Sequence, residues 1–426
     1  MGDFTVRTQF NLSGSLVASL LLCVCLNAAQ ARNVNVPEAK PEAVGFSSER
    51  LKRLDAGMKA IVDNKQLAGV ATMVARHGQV VQSMVYGQQD IQSNTPLQKD
   101  TIVRIYSMTK PITGVAMMIL YEEGKWKPTD PISRYIPEFK DLKVFKSLDA
   151  EGKPVADLPG HPPTIGELMS HTAGFTYGLF GSSPVDKMYQ QANVLAASSL
   201  KDFIDKVAPL PLAYEPGQGW MYSVSVDIQG YLVEKLSGQP FPEFLKQRIF
   251  DPLGMKDTAF YVPADKMNRF VSFYTYDKDR KFVAHPGVPD FSKPPGAPSG
   301  GGGMVSTAMD YMRFCQMLLN GGELDGHRLL SPLSVQLMHS NVLPASARTM
   351  GPGTGFGLDF AVVEDPVAAG GYGGEGTFYW GGYAGTWFWI DPVYKMIVVG
   401  MIQIRGDGLP DVRGLSRNLT YQAIVK

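Results

Sequence analysis

The stretch RIYSMTKPITGV, Arg104 to Val115, places Ser107 three residues before Lys110, with Pro111 immediately after. The chain continues as AMMILYEEG, a helical composition, so the proline falls inside the first turn of a helix. A helix leaves its first four N–H groups without partners, so proline costs little there and much further in. Pro111 therefore marks the helix start and puts Ser107 within about one turn of it. Residues three apart share a helix face, which lets the Lys110 amine lie beside the Ser107 hydroxyl. The positive end of the helix dipole favours an alkoxide. Burial disfavours an ammonium, and a neutral amine can take the serine proton as general base.

Other candidates have plainer explanations. Ser198 and Lys201 repeat the Ser-x-x-Lys spacing, but in SSLKDFIDK the pair Ser199 and Asp202 reads as a helix cap with an acidic first-turn residue. The six histidines, His77, His161, His171, His285, His327 and His339, show no zinc-ligand spacing, so no metal site and no cofactor is expected. His171, shortly before Gly174, reads as a residue stabilising a helix C-terminus. No Gly-x-Ser-x-Gly elbow occurs, which weighs against the α/β-hydrolase fold. GYGGEG, from Gly371 to Gly376, precedes a strand instead of opening a helix, so it reads as a loop and not a dinucleotide site. Cys315, in YMRFCQMLL, reads as a buried apolar residue.

The elements that must position Ser107 and Lys110 are visible on either side. SSERLKRLDAGMKAIVD sets Leu51, Leu54, Met58, Ile61 and Val62 at helical spacing, with Ser47 or Ser48 as N-cap. GVATMVARHGQVVQSMVYG reads as two strands turning at His77-Gly78. TFYWGGYAGTWFWIDPVYKMIVVGMIQI reads as a hairpin with Asp391 and Pro392 in its turn, and PDVRGLSRNLTYQAIV as a closing helix. Between them lie TIGELMSH, LKDFIDKVA, VDIQGYLVEKLSG and MDYMRFCQMLLNGG, helical segments separated by loops rich in Gly and Pro. Gly300 to Gly303 read as a buried turn or close backbone approach. The expected fold is α/β of the α+β type. An antiparallel sheet is built from N- and C-terminal strands and flanked by helices (32–106 and 331–426), with a large, mainly helical region inserted (107–330) and the active site at the interface.

The 426 residues carry 40 basic and 40 acidic side chains and 44% hydrophobic residues. That balance gives no electrostatic reason to expect nucleic acid or an anionic membrane as partner; a small molecule is the expected one. The opening MGDFTVRTQFNLSGSLVASLLLCVCLNAAQA has a basic residue, a short apolar run and the ending Ala29-Gln30-Ala31, the build of a secretory signal over 1–31. A secreted or periplasmic location is expected, with no stable membrane span after cleavage. Cleavage would leave Cys315 as the lone cysteine, so no intrachain disulfide is expected.

Two later stretches complete a pattern: YSVSVDIQGYLVEKLSG from Tyr222 and WGGYAGTWFWIDP from Trp380, supported by LMSHTAGF, YEPGQGWMYS, FDPLGMKDT and SGGGGMVSTAMDYMRF. With YSMTK, this order resembles the class C β-lactamase and penicillin-binding-protein superfamily, closest to its family VIII carboxylesterases, over nearly all the chain. The resemblance implies Ser107 as acyl-forming nucleophile, Lys110 as its base partner, and Tyr222 as the residue that helps activate the serine and protonates the leaving group. It implies an oxyanion hole from the backbone N–H groups of Ser107 and Tyr383, the latter on an edge strand. Gly381 and Gly382 would let that strand approach the substrate.

Two departures shape the expected specificity. β-Lactam-hydrolysing relatives usually carry asparagine two residues after the tyrosine, where this chain has Val224, and a Lys-Thr-Gly strand where it has Trp380-Gly381-Gly382. A valine and an indole at the pocket favour an uncharged, partly hydrophobic acyl group, hence ester hydrolysis over β-lactam hydrolysis. Acyl transfer, a D-amino-acid peptidase or transpeptidase, or a weak β-lactamase would use the same acyl-enzyme. A non-catalytic ligand sensor on the same fold would have no need for Ser107, Lys110 and Tyr222 together.

Overall fold

In the computed structural model of the protein the described residues are Gly2, 35–347 and 350–426; the expected signal segment lies outside them. Ser47 caps the first helix, α1 (Ser48–Asp63), by accepting from the Arg50 amide, and Leu51, Leu54, Met58 and Ile61 form its buried stripe. The chain then enters a sheet through β1 (Gly69–Arg76) and β2 (Gln79–Asp90). His77 and Gly78 both take positive φ in the tight turn between them. After β3 (Thr95–Pro96) the helices α2 (Thr109–Glu122), α3 (Ile165–Met169), α4 (Ser225–Ser237) and α5 (Ala308–Leu319) follow, with shorter pieces between. The sheet resumes with β4 (Thr354–Phe356), β5 (Ala361–Val363), β6 (Phe378–Gly381), β7 (Trp387–Asp391) and β8 (Met396–Met401), and α6 (Val412–Tyr421) closes the fold.

The eight strands lie in the order β4-β5-β6-β7-β8-β1-β2-β3, all neighbours antiparallel. Strands from the two ends of the chain meet at β8 and β1, with Ala71 opposite Met401 and Arg76 opposite Met396. Alternation along these strands divides the core. Met73, Ala75, Ile397, Val399 and Met401 join the large cluster that holds α2, α4 and α5. Val70, Val74, Met396 and Val398 face the cluster of α1 and α6. Helices cover both faces, which is why β8 is buried along its whole length.

Two details differ from the sequence reading. The C-terminal segment is a three-strand meander, not a hairpin, because the GlyTyrAlaGly stretch after Gly381 makes a turn of its own, with the Gly382 amide donating to the Thr386 carbonyl. The helix α5 lies against the sheet, where Tyr311 packs on Phe388 at 5.1 Å between ring centroids. Residues 35–426 form one compact unit.

Candidate active site

Ser107 sits in a 3-10 turn, Tyr106–Met108, that runs directly into α2. Pro111 is the third residue of that helix, where no intrahelical N–H bond is lost. Every residue of α2 from Thr109 to Leu120 is buried, so the turn is held by a helix packed on all sides. Neighbours fix it further: the Tyr311 hydroxyl donates to the Met108 carbonyl at 2.9 Å, and the Ile105 amide donates to Met304 O at 3.0 Å. Tyr106, directly before the serine, adopts φ +42°, a left-handed conformation that a bulky residue takes only when its surroundings impose it. Its ring is wedged against Tyr383, Phe273 and Phe291, and burial pushes its hydroxyl pKa up to about 12.

The Lys110 side chain is only 1% exposed. Its Nζ lies 3.4 Å from Ser107 Oγ, 2.9 Å from the Tyr177 hydroxyl and 2.6 Å from the Gly301 carbonyl, and 4.5 Å from the centroid of the Tyr222 ring. A buried amine with three oxygen neighbours has its direction fixed, and one of the three is the serine. The glycine run explains the approach: a Cβ on Gly301 would come within 2.4 Å of Asp227 Oδ2 and 2.6 Å of the Tyr177 oxygen.

Tyr222 lies in a ring of aromatic side chains, with centroids of His171, Tyr177, Phe180 and Trp380 between 5.2 and 5.7 Å away. Its hydroxyl accepts from Trp380 Nε1 at 3.4 Å. Ser107, Tyr222, Trp380, Gly381, Gly382 and Tyr383 all line one cavity of about 220 Å³. A second cleft of about 630 Å³ shares Ser107, Tyr222 and Tyr383 and continues between Leu179, Phe180, Leu195, Val288 and Phe291. Apolar walls on this scale accommodate a hydrophobic group of the substrate.

The strand carrying Trp380 is interior to the sheet, not an edge. However, β5 pairs only with Phe378 and Tyr379, so Trp380 and Gly381 have a free side toward the cavity. A Cβ on Gly382 would come within 2.4 Å of the Ile105 carbonyl, so only glycine lets the turn after β6 pass this close to the nucleophile turn. Among the described residues the Tyr383 amide has no backbone partner, which leaves it available to an oxyanion. Val224 is different. It is fully buried, precedes the start of α4 as its N-cap, and lines neither cavity; its backbone carbonyl, accepting from the Asp227 and Ile228 amides, ties it to the helix.

His171 does not act as a charged helix terminator. It follows the cap of α3 with φ +57°, is fully buried, and burial, together with the nearby Lys110 charge, holds its pKa well below the usual imidazole value. A neutral ring, with Nδ1 3.1 Å from Ser223 Oγ, packs against Tyr222 with ring centroids 5.2 Å apart. The Ser198–Lys201 pair lies at the surface: Lys201 faces Asp205 and Glu138, and Ser199 caps its helix through the Asp202 amide. Cys315 is buried and free.

Sequence reasoning missed two polar residues. Tyr177 bridges Lys110 and Asp227 (3.4 Å), and burial first, then the Asp227 charge, raises its pKa well above that of a free phenol, so it stays protonated. Asp227 also accepts from the Gly301 amide at 3.1 Å and from the Ser299 hydroxyl. The signal available was the glycine run itself, which marks a backbone in close contact with something. Among the described residues no group of three or more His, Cys, Asp or Glu could hold a metal ion, and no helix is long and apolar enough to cross a membrane.

Comparison with known proteins gives this geometry a family. The Beta-lactamase family model matches residues 54–420. Esterase EstB of Burkholderia gladioli is 31% identical over 79% of this chain and 86% of its own. The structure of EstCE1, described as a hydrolase with promiscuous acyltransferase activity, superposes with a TM-score of 0.75 at 27% identity, covering 88% of this chain and 99% of that one. Simvastatin synthase LovD from Aspergillus terreus has the same fold, with a TM-score of 0.77 at 21% identity over 88% of this chain and 98% of its own.

The chain belongs to the Beta-lactamase family, has the β-lactamase and penicillin-binding-protein fold, and is a serine hydrolase.

Proposed function

We propose that this Beta-lactamase-family hydrolase cleaves carboxylic esters through an acyl-enzyme on Ser107. The observation that carries the reading is the Lys110 amine, buried, 3.4 Å from Ser107 Oγ and held there by Tyr177 and Gly301. In the first step Ser107 Oγ attacks the ester carbonyl and its proton passes to the Lys110–Tyr222 pair. The tetrahedral oxyanion is met by the amides of Ser107 and Tyr383. Collapse breaks the bond to the alcohol oxygen, which takes a proton from Tyr222 as it leaves. Water then attacks the acyl carbon and gives a proton to the same pair; collapse breaks the acyl–Oγ bond, Ser107 Oγ takes that proton back, and the carboxylic acid leaves. The similarity to EstB supports an ester substrate, and the apolar cleft supports an uncharged acyl group.

Acyl transfer is the second reading, supported by the similarity to EstCE1: an alcohol replaces water in the second step. The N-terminal segment supports a secreted or periplasmic location for this chemistry. Turnover of p-nitrophenyl acetate and butyrate, beside a chromogenic cephalosporin, tests the reading. Ester turnover lost in Ser107→Ala, with little cephalosporin turnover, is expected. Ester turnover that survives Ser107→Ala refutes it. Acylation that decays only when an alcohol is added would favour transfer.

A further inference from the structure

A buried aspartate packed on α2 takes no part in the reaction described above. Asp359 sits in the turn between β4 and β5 and is only 1% exposed. Its φ of +64° lies in the left-handed region, which aspartate and asparagine enter more readily than bulkier residues. Its amide donates to the carbonyl of Met169, the last residue of α3, at 3.0 Å. Its carboxyl reaches two further helices. Oδ1 accepts from Nε2 of the fully buried Gln229, on α4, at 3.1 Å. Oδ2 lies against α2 at Gly114, where a Cβ would come within 2.7 Å of it. Gly114 is four residues beyond Lys110 and so shares its helix face.

The single bond to Gln229 leaves a remainder. Among the described residues Asp359 Oδ2 and Gln229 Oε1 have no hydrogen-bond partner, although both atoms are buried. Buried polar atoms are rarely left so, and these two belong to residues that already share one hydrogen bond. A carboxylate can only accept, which would leave both oxygens unsatisfied; a carboxylic acid has an O–H to give. The titratable groups that act on Asp359 are Lys110 from α2 and Tyr177 from the segment after α3, while His171, two residues past Met169, is neutral. Burial dominates and holds the Asp359 pKa well above the ordinary carboxylate value, against the Gln229 hydrogen bond and the Lys110 charge.

We propose that Asp359 is a neutral carboxylic acid in the native protein and that its hydroxyl donates to Gln229 Oε1, closing a two-bond acid–amide pair. The pair is a positioning device. It ties the β4–β5 turn to α4, which starts three residues after Tyr222, and seats that turn on α2, which carries Lys110, without bringing a charge to the site. Gly114 makes the room for it. The proton stands apart from the acyl-enzyme chemistry; only its effect on turnover rests on the ester-hydrolase reading.

Infrared spectra of the native protein near pH 7 should show the carbonyl band of a protonated carboxylic acid, distinct from ionised carboxylates. The band should vanish in D359N, shift in Q229M, where the acid loses its amide partner, and persist in D310N, which removes the buried carboxyl with a pKa of about 6. No such band in the native protein, its survival in D359N, its loss in D310N, or a band unmoved in Q229M overturns the proposal. D359N should fold, because asparagine tolerates the same φ and both donates and accepts, and should keep kcat for p-nitrophenyl butyrate within about twofold. D359G, which keeps the φ without the side chain, should lower kcat by about tenfold with KM little changed. A D359N protein that fails to fold, or that loses as much activity as D359G, overturns the neutral acid; a D359G protein with native kcat overturns the positioning role. If D359G does not fold, Q229M takes its place in the kinetics, with the same loss expected. If no ester is turned over, the hydrolase reading fails, and the infrared comparison alone decides the proton.

Discussion

Replacing Gly382 by alanine should damage catalysis far more than folding. A Cβ at this position would stand 2.4 Å from the Ile105 carbonyl oxygen and 2.2 Å from Thr386 Oγ1. The Thr386 side chain can rotate away, but the Ile105 carbonyl is backbone, two residues before the nucleophile and tied into the turn that presents it. The strand must therefore retreat by about 1 Å to restore an ordinary contact. The Tyr383 amide, next in sequence, retreats with it. Misplacement of this size costs on the order of 10²-fold, and full loss of one oxyanion donor about 10² to 10³ in kcat. The oxyanion exists only at and near the transition state, so kcat and kcat/KM should fall together while KM changes little. Stability should drop by no more than the roughly 1–3 kcal/mol typical of overpacking. Steady-state hydrolysis of p-nitrophenyl butyrate, with thermal unfolding of the same samples, measures both effects. Gly160→Ala is the control, since a Cβ there meets nothing within 4 Å. Retention of kcat within about twofold by a folded Gly382→Ala protein would refute the placement of the Tyr383 amide, because the roughly 10²-fold loss would be absent.

Further outcomes follow from the same geometry. Tyr177→Phe removes an oxygen that Lys110 uses at 2.9 Å; kcat for p-nitrophenyl butyrate should fall by about tenfold to a hundredfold, read from steady-state kinetics. Gly301→Ala forces a Cβ against Asp227 and the Tyr177 hydroxyl, and should lower kcat alongside stability, both read from kinetics and unfolding of one preparation. Asp310 is buried where it accepts from Thr258 and the Asp257 amide, and burial raises its pKa to about 6. The folded state thus binds its proton more tightly than the unfolded chain does. Its contribution is full below about pH 4, declines as pH rises toward 6 and is flat above, by up to about 3 kcal/mol. Denaturant unfolding at pH 4 and pH 7 should show this slope in the native protein and lose it in Asp310→Asn.

Local signals carried much of the architecture. Ser47 before a leucine stripe specified α1 through its cap, and His77-Gly78 specified the first hairpin through the positive φ both residues adopt. Pro111 located the helix start because a missing N–H is tolerated only in the first turn, and the structure sets Ser107 in the turn just before it. The meander was misread because its first turn, at Gly382 to Thr386, is built from residues that also suit a strand approaching a ligand. Tyr177 could not be read as a neighbour of Lys110, because it reaches the site from a segment far along the chain and only the distant glycine run at Gly300 to Gly303 hints at the close approach. Val224 shows the opposite limit: its position beside a motif residue suggested a pocket wall, while helix geometry turns it into the core.

The most direct measurement is mass spectrometry of the protein quenched during turnover of p-nitrophenyl butyrate, followed by peptide mapping. A butanoyl group is expected on the peptide carrying Ser107, at the serine oxygen, absent in Ser107→Ala and accumulating when water attack is slowed. A butanoyl group on any other residue, or rapid hydrolysis with no acylated peptide even in a variant slowed at the second step, would contradict it.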